Sequence, residues 1–178
     1  MQKSVNGPPA GLLFEPLQAS GGQIIFPRRY VEAVREICDR YEVPLIFDEI
    51  QTFIRIGKWT AAEFYGVTPE FIALGKAVGG GLPLSVTIVK DGLTGYDPDA
   101  EELHTFANNT LSQVASLKLL QIIERDGVLD NVNRMGAYLN EGLLRLQREF
   151  PEMGDIRQVG LHIGVEFVKD PEGKEPLE

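Results

Sequence analysis

A single cysteine, Cys38, occurs among 178 residues. No disulfide can form within the chain, and nothing points to an oxidising compartment. Long apolar runs are missing as well: no stretch approaches the ~20 residues of a membrane span. The opening residues, MQKSVNGPPAGLLF, have no long apolar segment followed by a small-residue cleavage site. Basic runs are absent, and Lys plus Arg (17) are outnumbered by Asp plus Glu (26), for a net charge of −9. Nucleic-acid binding is therefore not expected, and the excess acid favours solubility. Internal repeats and low-complexity segments are not found. These absences lead us to expect a cytoplasmic globular protein with no membrane segment. What is present agrees: 43% hydrophobic and 24% charged residues are ordinary for such a chain, and the length suits one core, or one domain with an appendage.

The pattern along the chain is α/β. After a polar start, Gly11 to Phe14 reads as a strand ending at Glu15-Pro16. Gly21-Gly22 makes a loop, and Pro27 suits a helix start, where its missing N–H costs nothing. Tyr30, Val31, Val34, Ile37, Cys38 and Tyr41 then recur at helical spacing, which makes Cys38 buried filler. A second apolar run, Pro44 to Phe47, ends in Asp48-Glu49. Residues 60–66 suit a short helix, Phe71 to Leu74 a third strand ending in Gly75-Lys76, and residues 84–89 a fourth. Continuous apolar runs predict a parallel sheet covered on both faces. Ligands of such sheets gather outside the carboxyl ends of the strands, where the polar residues are Glu15, Asp48 and Lys76. Residues 91–109 read as a loop and Leu111 to Glu124 as a helix. A longer helix spans Val128 to Phe150, with Met135, Leu139, Leu143, Leu144 and Leu146 on its apolar side, and Pro151 stops it. Residues 156–159 and 164–168 are expected as strands of a small second domain, and 169–178 as a frayed end. The expected division is 1–125, a linking helix at 126–150, and 151–178.

Asp48 and Lys76 each close a strand, so both are expected in one crevice. A carboxylate beside a heterocyclic nitrogen keeps that nitrogen protonated, and a lysine amine forms an imine with an aldehyde. Pyridoxal phosphate (PLP) chemistry asks these two things of a protein. To attack, the amine must be neutral; partial burial and nearby positive charge lower a lysine's pKa, and the same lysine can shuttle the α-proton. The pair also has a plainer reading, in which Asp48 caps a loop and Lys76 is solvated. Gly79-Gly80-Gly81 allow close approach of backbone to a ligand, or simply make a loop. They do not match a P-loop, which needs Lys-Ser/Thr after the last glycine.

Phe47-Asp48-Glu49-Ile50-Gln51-Thr52, followed by Leu74-Gly75-Lys76-Ala77-Val78-Gly79-Gly80-Gly81-Leu82-Pro83, resembles the class III (subgroup II, ω-type) aminotransferases. The resemblance extends upstream to Glu15 through Gly22. Downstream it takes in His104-Thr105-Phe106-Ala107-Asn108-Asn109 and Val159 through Phe167. It implies a fold-type-I PLP transferase: part of the large, mostly parallel sheet domain, plus the start of a small C-terminal α+β domain. By resemblance, Lys76 is the Schiff-base lysine and Asp48 the partner of the pyridinium nitrogen. Ile50 is the apolar floor under the ring, stiff because it is β-branched, and Gln51 the residue near the phenolic oxygen. Thr105 is the threonine that reaches the phosphate of the neighbouring subunit's cofactor, which implies a homodimer with the active site at its interface. Core packing for Ile50, a loop contact for Gln51 and a cap for Thr105 are the plainer readings. His104 is expected to line the interface and His162 to be structural. No metal site is expected.

Three departures qualify the resemblance. Family members are more than twice as long, so this chain reads as part of a longer or split protein that does not complete a PLP site alone. The block after Gln51-Thr52 is Phe53-Ile54-Arg55-Ile56-Gly57, where the common form is Gly-Phe-Gly-Arg-Thr-Gly. Ser20 stands where many ω-aminotransferases carry a glutamate that masks a carboxylate-binding arginine. The expected activity is transamination between an amino acid or amine donor and a 2-oxo acid. A PLP-dependent epimerase or decarboxylase, and a non-catalytic remnant, are the alternatives.

Overall fold

The computed structural model describes residues 7, 9–93, 109–170 and 172–177. One sheet is formed by β1 (Leu12–Phe14), β2 (Leu45–Asp48), β3 (Phe71–Leu74) and β4 (Val86–Val89), in that spatial order. The first three strands are parallel, and β4 returns antiparallel to β3. The return follows from chain length. A parallel pair needs a crossover of about a dozen residues or more, usually helical, and the glycine-rich turn after β3 supplies none. The crossovers are α1 (Arg28–Arg40), between β1 and β2, and α2 (Ala61–Tyr65), between β2 and β3.

Pro27 occupies the N-cap of α1. Thr60 caps α2 by accepting the Glu63 N–H at 3.2 Å, and Gly66, at φ +66°, ends it in the left-handed conformation. Both helices pack on one face of the sheet. Leu17, Val31, Cys38, Leu45, Phe47, Ile56, Ala61, Tyr65 and Val67 form the core there, and Cys38 is indeed buried. Of the expected α1 stripe, Val31 and Cys38 are buried and Val34 packs against the core, whereas Tyr30, Ile37 and Tyr41 lie exposed. A one-sided contact needs a narrower stripe than the sequence offers.

The sheet is also covered less evenly than expected. Side chains alternate along β2, with Leu45 and Phe47 buried and Ile46 and Asp48 half-buried. Leu13, in register with Ile46, is 60% exposed among the described residues. On edge strand β4, Ile88 and Val89 are exposed too. Apolar content alone does not say which face a neighbour covers.

In the C-terminal part, α3 (Thr110–Arg125) starts at Asn109, whose Oδ1 accepts the Ser112 N–H at 3.1 Å. Then α4 (Val128–Glu149) leads to a hairpin of β5 (Met153–Val159) and β6 (His162–Phe167). The expected apolar side of α4 is corrected. Its buried residues are Val132 and Gly136, while Met135, Leu139, Leu144 and Leu146 are exposed among the described residues. Gly136 explains the choice: a Cβ there would lie 2.3 Å from the Gly160 carbonyl oxygen. The helix meets the hairpin through its smallest residue, and the leucines lie to the side. The tail is also less frayed than expected, since the Lys169 N–H donates to Glu175 O at 2.8 Å and Leu177 N–H to Phe167 O at 3.2 Å. Among the described residues no helix is long and apolar enough to cross a membrane.

Candidate active site

The carboxyl ends of β2 and β3 lie side by side. Asp48 is in register with Ala73, just before Leu74-Gly75-Lys76, and the Glu49 N–H donates to Ala73 O at 2.9 Å. Alternation puts the Asp48 side chain on the less covered face, with Ile46 and Leu13. Asp48 Oδ1 accepts the Ile50 N–H at 3.0 Å, which turns the chain sharply at the strand end. The cap reading of Asp48 is thus realised with one oxygen, and among the described residues the other has no hydrogen-bond partner.

Glu49 is the residue that sequence reasoning missed. It is fully buried, and its carboxylate accepts from Thr52 Oγ1 at 2.5 Å, the Ala61 N–H at 2.6 Å and the Ala62 N–H at 2.8 Å. It therefore ties the turn after β2 to the first turn of α2, where N–H groups need acceptors. Burial pushes its carboxyl above the usual range, opposed by these three donors and helped by the neighbouring charge of Asp48. Two consecutive acids at a strand end were the available signal. Alternation sends one to each face.

Past Glu49 the turn continues through Ile50 and Gln51. Ile50 packs on Gly75, where a Cβ would meet its Cγ1 at 3.4 Å. Gln51 Oε1 accepts from Arg55 Nη1 at 2.9 Å. Ile54 is held at φ +58°, a left-handed conformation that a β-branched residue rarely adopts. It packs against the buried cluster of Phe53, Leu74 and Val78.

Lys76 opens a single 3₁₀ turn, Lys76–Gly79, and is itself at φ +48°. Strain of this kind costs of order 1–3 kcal/mol and collects at ligand sites. Val78 is buried beside Leu74 and anchors the turn. Gly80, at φ +61°, lets the turn lie against α3, where a Cβ would come 3.3 Å from Ala115 O. The Lys76 side chain is exposed. Among the described residues its amine has no hydrogen bond or ion pair.

Asp48, Ile50, Gln51 and Lys76 are thus gathered at two adjacent strand ends. Together they offer a carboxylate oxygen, an apolar face, an amide N–H and a free amine. Such a set could hold the ring nitrogen, ring face, phenolic oxygen and aldehyde of PLP. Glu15 instead closes its own loop, accepting the Ala19 N–H at 3.2 Å, and Ser20 is exposed. Thr105 and His104 lie outside the described residues. His162 is buried with Nε2 3.5 Å from Gln18 O. Burial holds its imidazole below the usual range, opposed by the Gln18 contact and reinforced by the charge of Arg55. A cleft of about 360 Å³, lined by Val67, Pro69, Glu70, Ile72, Ile88 and Lys90, lies at the opposite, amino end of β3. It holds no arrangement of reactive groups, so chemistry rather than concavity locates the site.

Known proteins resemble this chain along nearly its whole length. The family model for class-III aminotransferases matches residues 1–177. Taurine–pyruvate aminotransferase of Bilophila wadsworthia is 38% identical over 176 residues, covering 93% of this chain and 39% of that protein. Leucine/methionine racemase of Thermococcus litoralis is 35% identical over 167 residues, covering 93% of this chain and 38% of that protein. Among solved structures, taurine:2-oxoglutarate aminotransferase of Bifidobacterium kashiwanohense, in complex with PLP and glutamate, superposes with a TM-score of 0.85 at 28% identity, covering 92% of this chain and 38% of that one. The chain spans about 39% of the length of the first of these relatives.

Proposed function

We propose, for a chain that belongs to the class-III aminotransferase family, that it carries the lysine-bearing part of a PLP-dependent enzyme that moves an amino group between an amino acid or amine and a 2-oxo acid. The observation that carries this reading is the open set of a carboxylate, an apolar side chain, an amide and an amine at the ends of β2 and β3. When bound, PLP supplies the electron sink that stabilises negative charge at the substrate Cα.

The residues divide the work. Lys76 holds the cofactor aldehyde and, when free, moves the proton at the substrate Cα. The free oxygen of Asp48 keeps the ring nitrogen protonated. Ile50, seated on Gly75, backs the ring face, and Gln51 donates to the phenolic oxygen. Glu49 touches none of these and fixes the turn that presents them. We assign Thr105 to the partner subunit's phosphate by resemblance, and with it a cytoplasmic homodimer. We also keep residues 1–125 as the large-domain part, 126–150 as the link and 151–178 as the start of the small domain.

The test uses the protein as its gene encodes it. Incubation with PLP, borohydride reduction and peptide mapping should place the pyridoxyl adduct on Lys76. Lys76→Ala should lose the adduct and lower amine transfer by roughly 10³-fold or more. An adduct on another lysine, or none, overturns the reading. The racemase relative favours a second reading, epimerisation on the same scaffold. Loss of chirality without release of a keto acid would select it.

A further inference from the structure

We propose that Arg55 is a positioning residue that sets the direction of the Gln51 amide, so that Gln51 presents an N–H donor to the site. This rests on the reading above, in which Gln51 faces the phenolic oxygen of PLP.

The argument begins with the inventory of donors. Arg55 Nη1 donates to Gln51 Oε1 at 2.9 Å, in a part-buried setting. A guanidinium has five N–H donors and no acceptor. Whatever faces it must be the amide oxygen, so the NH₂ group is turned away. A glutamine without such a partner offers oxygen or nitrogen with nearly equal ease. At a site for an anionic oxygen, half of those orientations are repulsive. Among the described residues Arg55 has no carboxylate partner, and its charge polarises the amide so that the N–H donors at the far end are strengthened.

The arginine is itself held in place. Its N–H donates to Thr52 O at 3.0 Å, and its carbonyl accepts the Leu161 N–H at 2.8 Å. The turn between β5 and β6 therefore sits directly on its backbone. Gly160, at φ +60°, makes this seat close, because a Cβ there would come 2.6 Å from the Ile56 carbonyl carbon and 2.7 Å from Arg55 O. Ile54, at φ +58°, fixes the approach from the other side. Hairpin turn, Arg55 and Gln51 form one contiguous chain of contacts from the C-terminal hairpin to the site.

Arg55 is the charged group in contact with Gln51; Asp48 and the buried Glu49 precede it on the same turn, and the buried His162 and Glu15 lie on the far side of Arg55. The test follows the visible band of the cofactor-loaded protein as a function of pH. A donor at the phenolic oxygen favours the unprotonated form of the bound chromophore, so Gln51→Ala should raise the titration midpoint. Arg55→Ala should raise it by at least half as much, Arg55→Lys should bring it most of the way back to that of the unaltered protein, and Arg55→Ala should add nothing in a Gln51→Ala background. An unmoved midpoint in Arg55→Ala overturns the proposal. So does a shift that persists in the double variant, since Arg55 would then act through its own charge. If Arg55→Ala misfolds by circular dichroism, Arg55→Met, which keeps bulk and has no N–H donor, carries the same test, with the same half-shift expected and no shift overturning it. Failure of the functional reading itself is distinguishable, because the pyridoxyl adduct would then be missing from Lys76 in the unaltered protein.

Discussion

The two ends of the central sheet each carry a buried or nearly buried glutamate, and the two are held in opposite ways. At the carboxyl end, Glu49 is bound only by neutral donors, Thr52 Oγ1 and the Ala61 and Ala62 N–H groups. At the amino end, Glu70 accepts the Leu45 N–H at 2.9 Å, Arg35 at 2.6 Å and Lys90 at 3.2 Å. Burial pushes both carboxyls upward. For Glu49 it wins. For Glu70 the Leu45 N–H and the two cations win, and the carboxyl is held below its usual range. At the amino end the cations are engaged by the acid. The other end spends no cation on its buried acid, so the one lysine beside it stays free. That contrast leaves Lys76 exposed and without an ion pair among the described residues.

Deleting the neutral anchor should have the largest effect. Glu49→Ala orphans two buried donors and one part-buried one, and at ~1–3 kcal/mol for each buried donor should cost about 3 kcal/mol or more in denaturant unfolding. A loss below about 1 kcal/mol would mean that water replaces the carboxylate.

The next effect is one of sign. A carboxyl raised in the folded state binds its proton more tightly there than in the unfolded chain. Its contribution is fully present below the unfolded value of about 4.3 and is lost as pH rises through the folded value. Glu70, lowered in the folded state, contributes above its unfolded value and loses that contribution as pH falls through the folded one. Unfolding free energy measured against pH should therefore respond oppositely in two variants. Glu49→Gln should remove a decline towards neutral pH. Glu70→Gln should cost roughly 1–3 kcal/mol at neutral pH, and less as pH falls. Parallel profiles for the two variants would break the comparison.

Smaller effects should follow from the supports. Thr60→Ala removes the cap of the helix that Glu49 anchors and should cost about 1 kcal/mol in the same melts. Lys90 is half exposed in its pair with Glu70. Lys90→Ala should cost under about 1 kcal/mol and lose even that in high salt.

Much of this was legible in the chain. Helices α1, α3 and α4 fall within a residue or two of their expected spans, because helical periodicity and caps are local properties. Asp48 and Lys76 were legible because each ends an apolar run. Glu49 was less so. An acid next to an acid looks like a solvated pair until the strand's alternation turns one of them inward. The exposed leucines of α4 show the converse. Leu139, Leu144 and Leu146 outweigh Gly136 on any hydropathy count, yet the hairpin docks on the glycine, because closeness of approach decided the contact.

The amino-acid sequence by itself determined the order of elements, the strand ends that carry Asp48 and Lys76, and the motif set of the family. Period, capping and turn chemistry act between near neighbours. Only the tertiary structure decided which face of each element is covered, that β4 returns antiparallel, and that Glu49 serves the fold while Asp48 keeps an oxygen free. It alone seats the Gly160 turn on Arg55 and so turns the amide of Gln51. These outcomes depend on groups far apart in the chain, brought within hydrogen-bond reach, and no local pattern encodes which of them will meet.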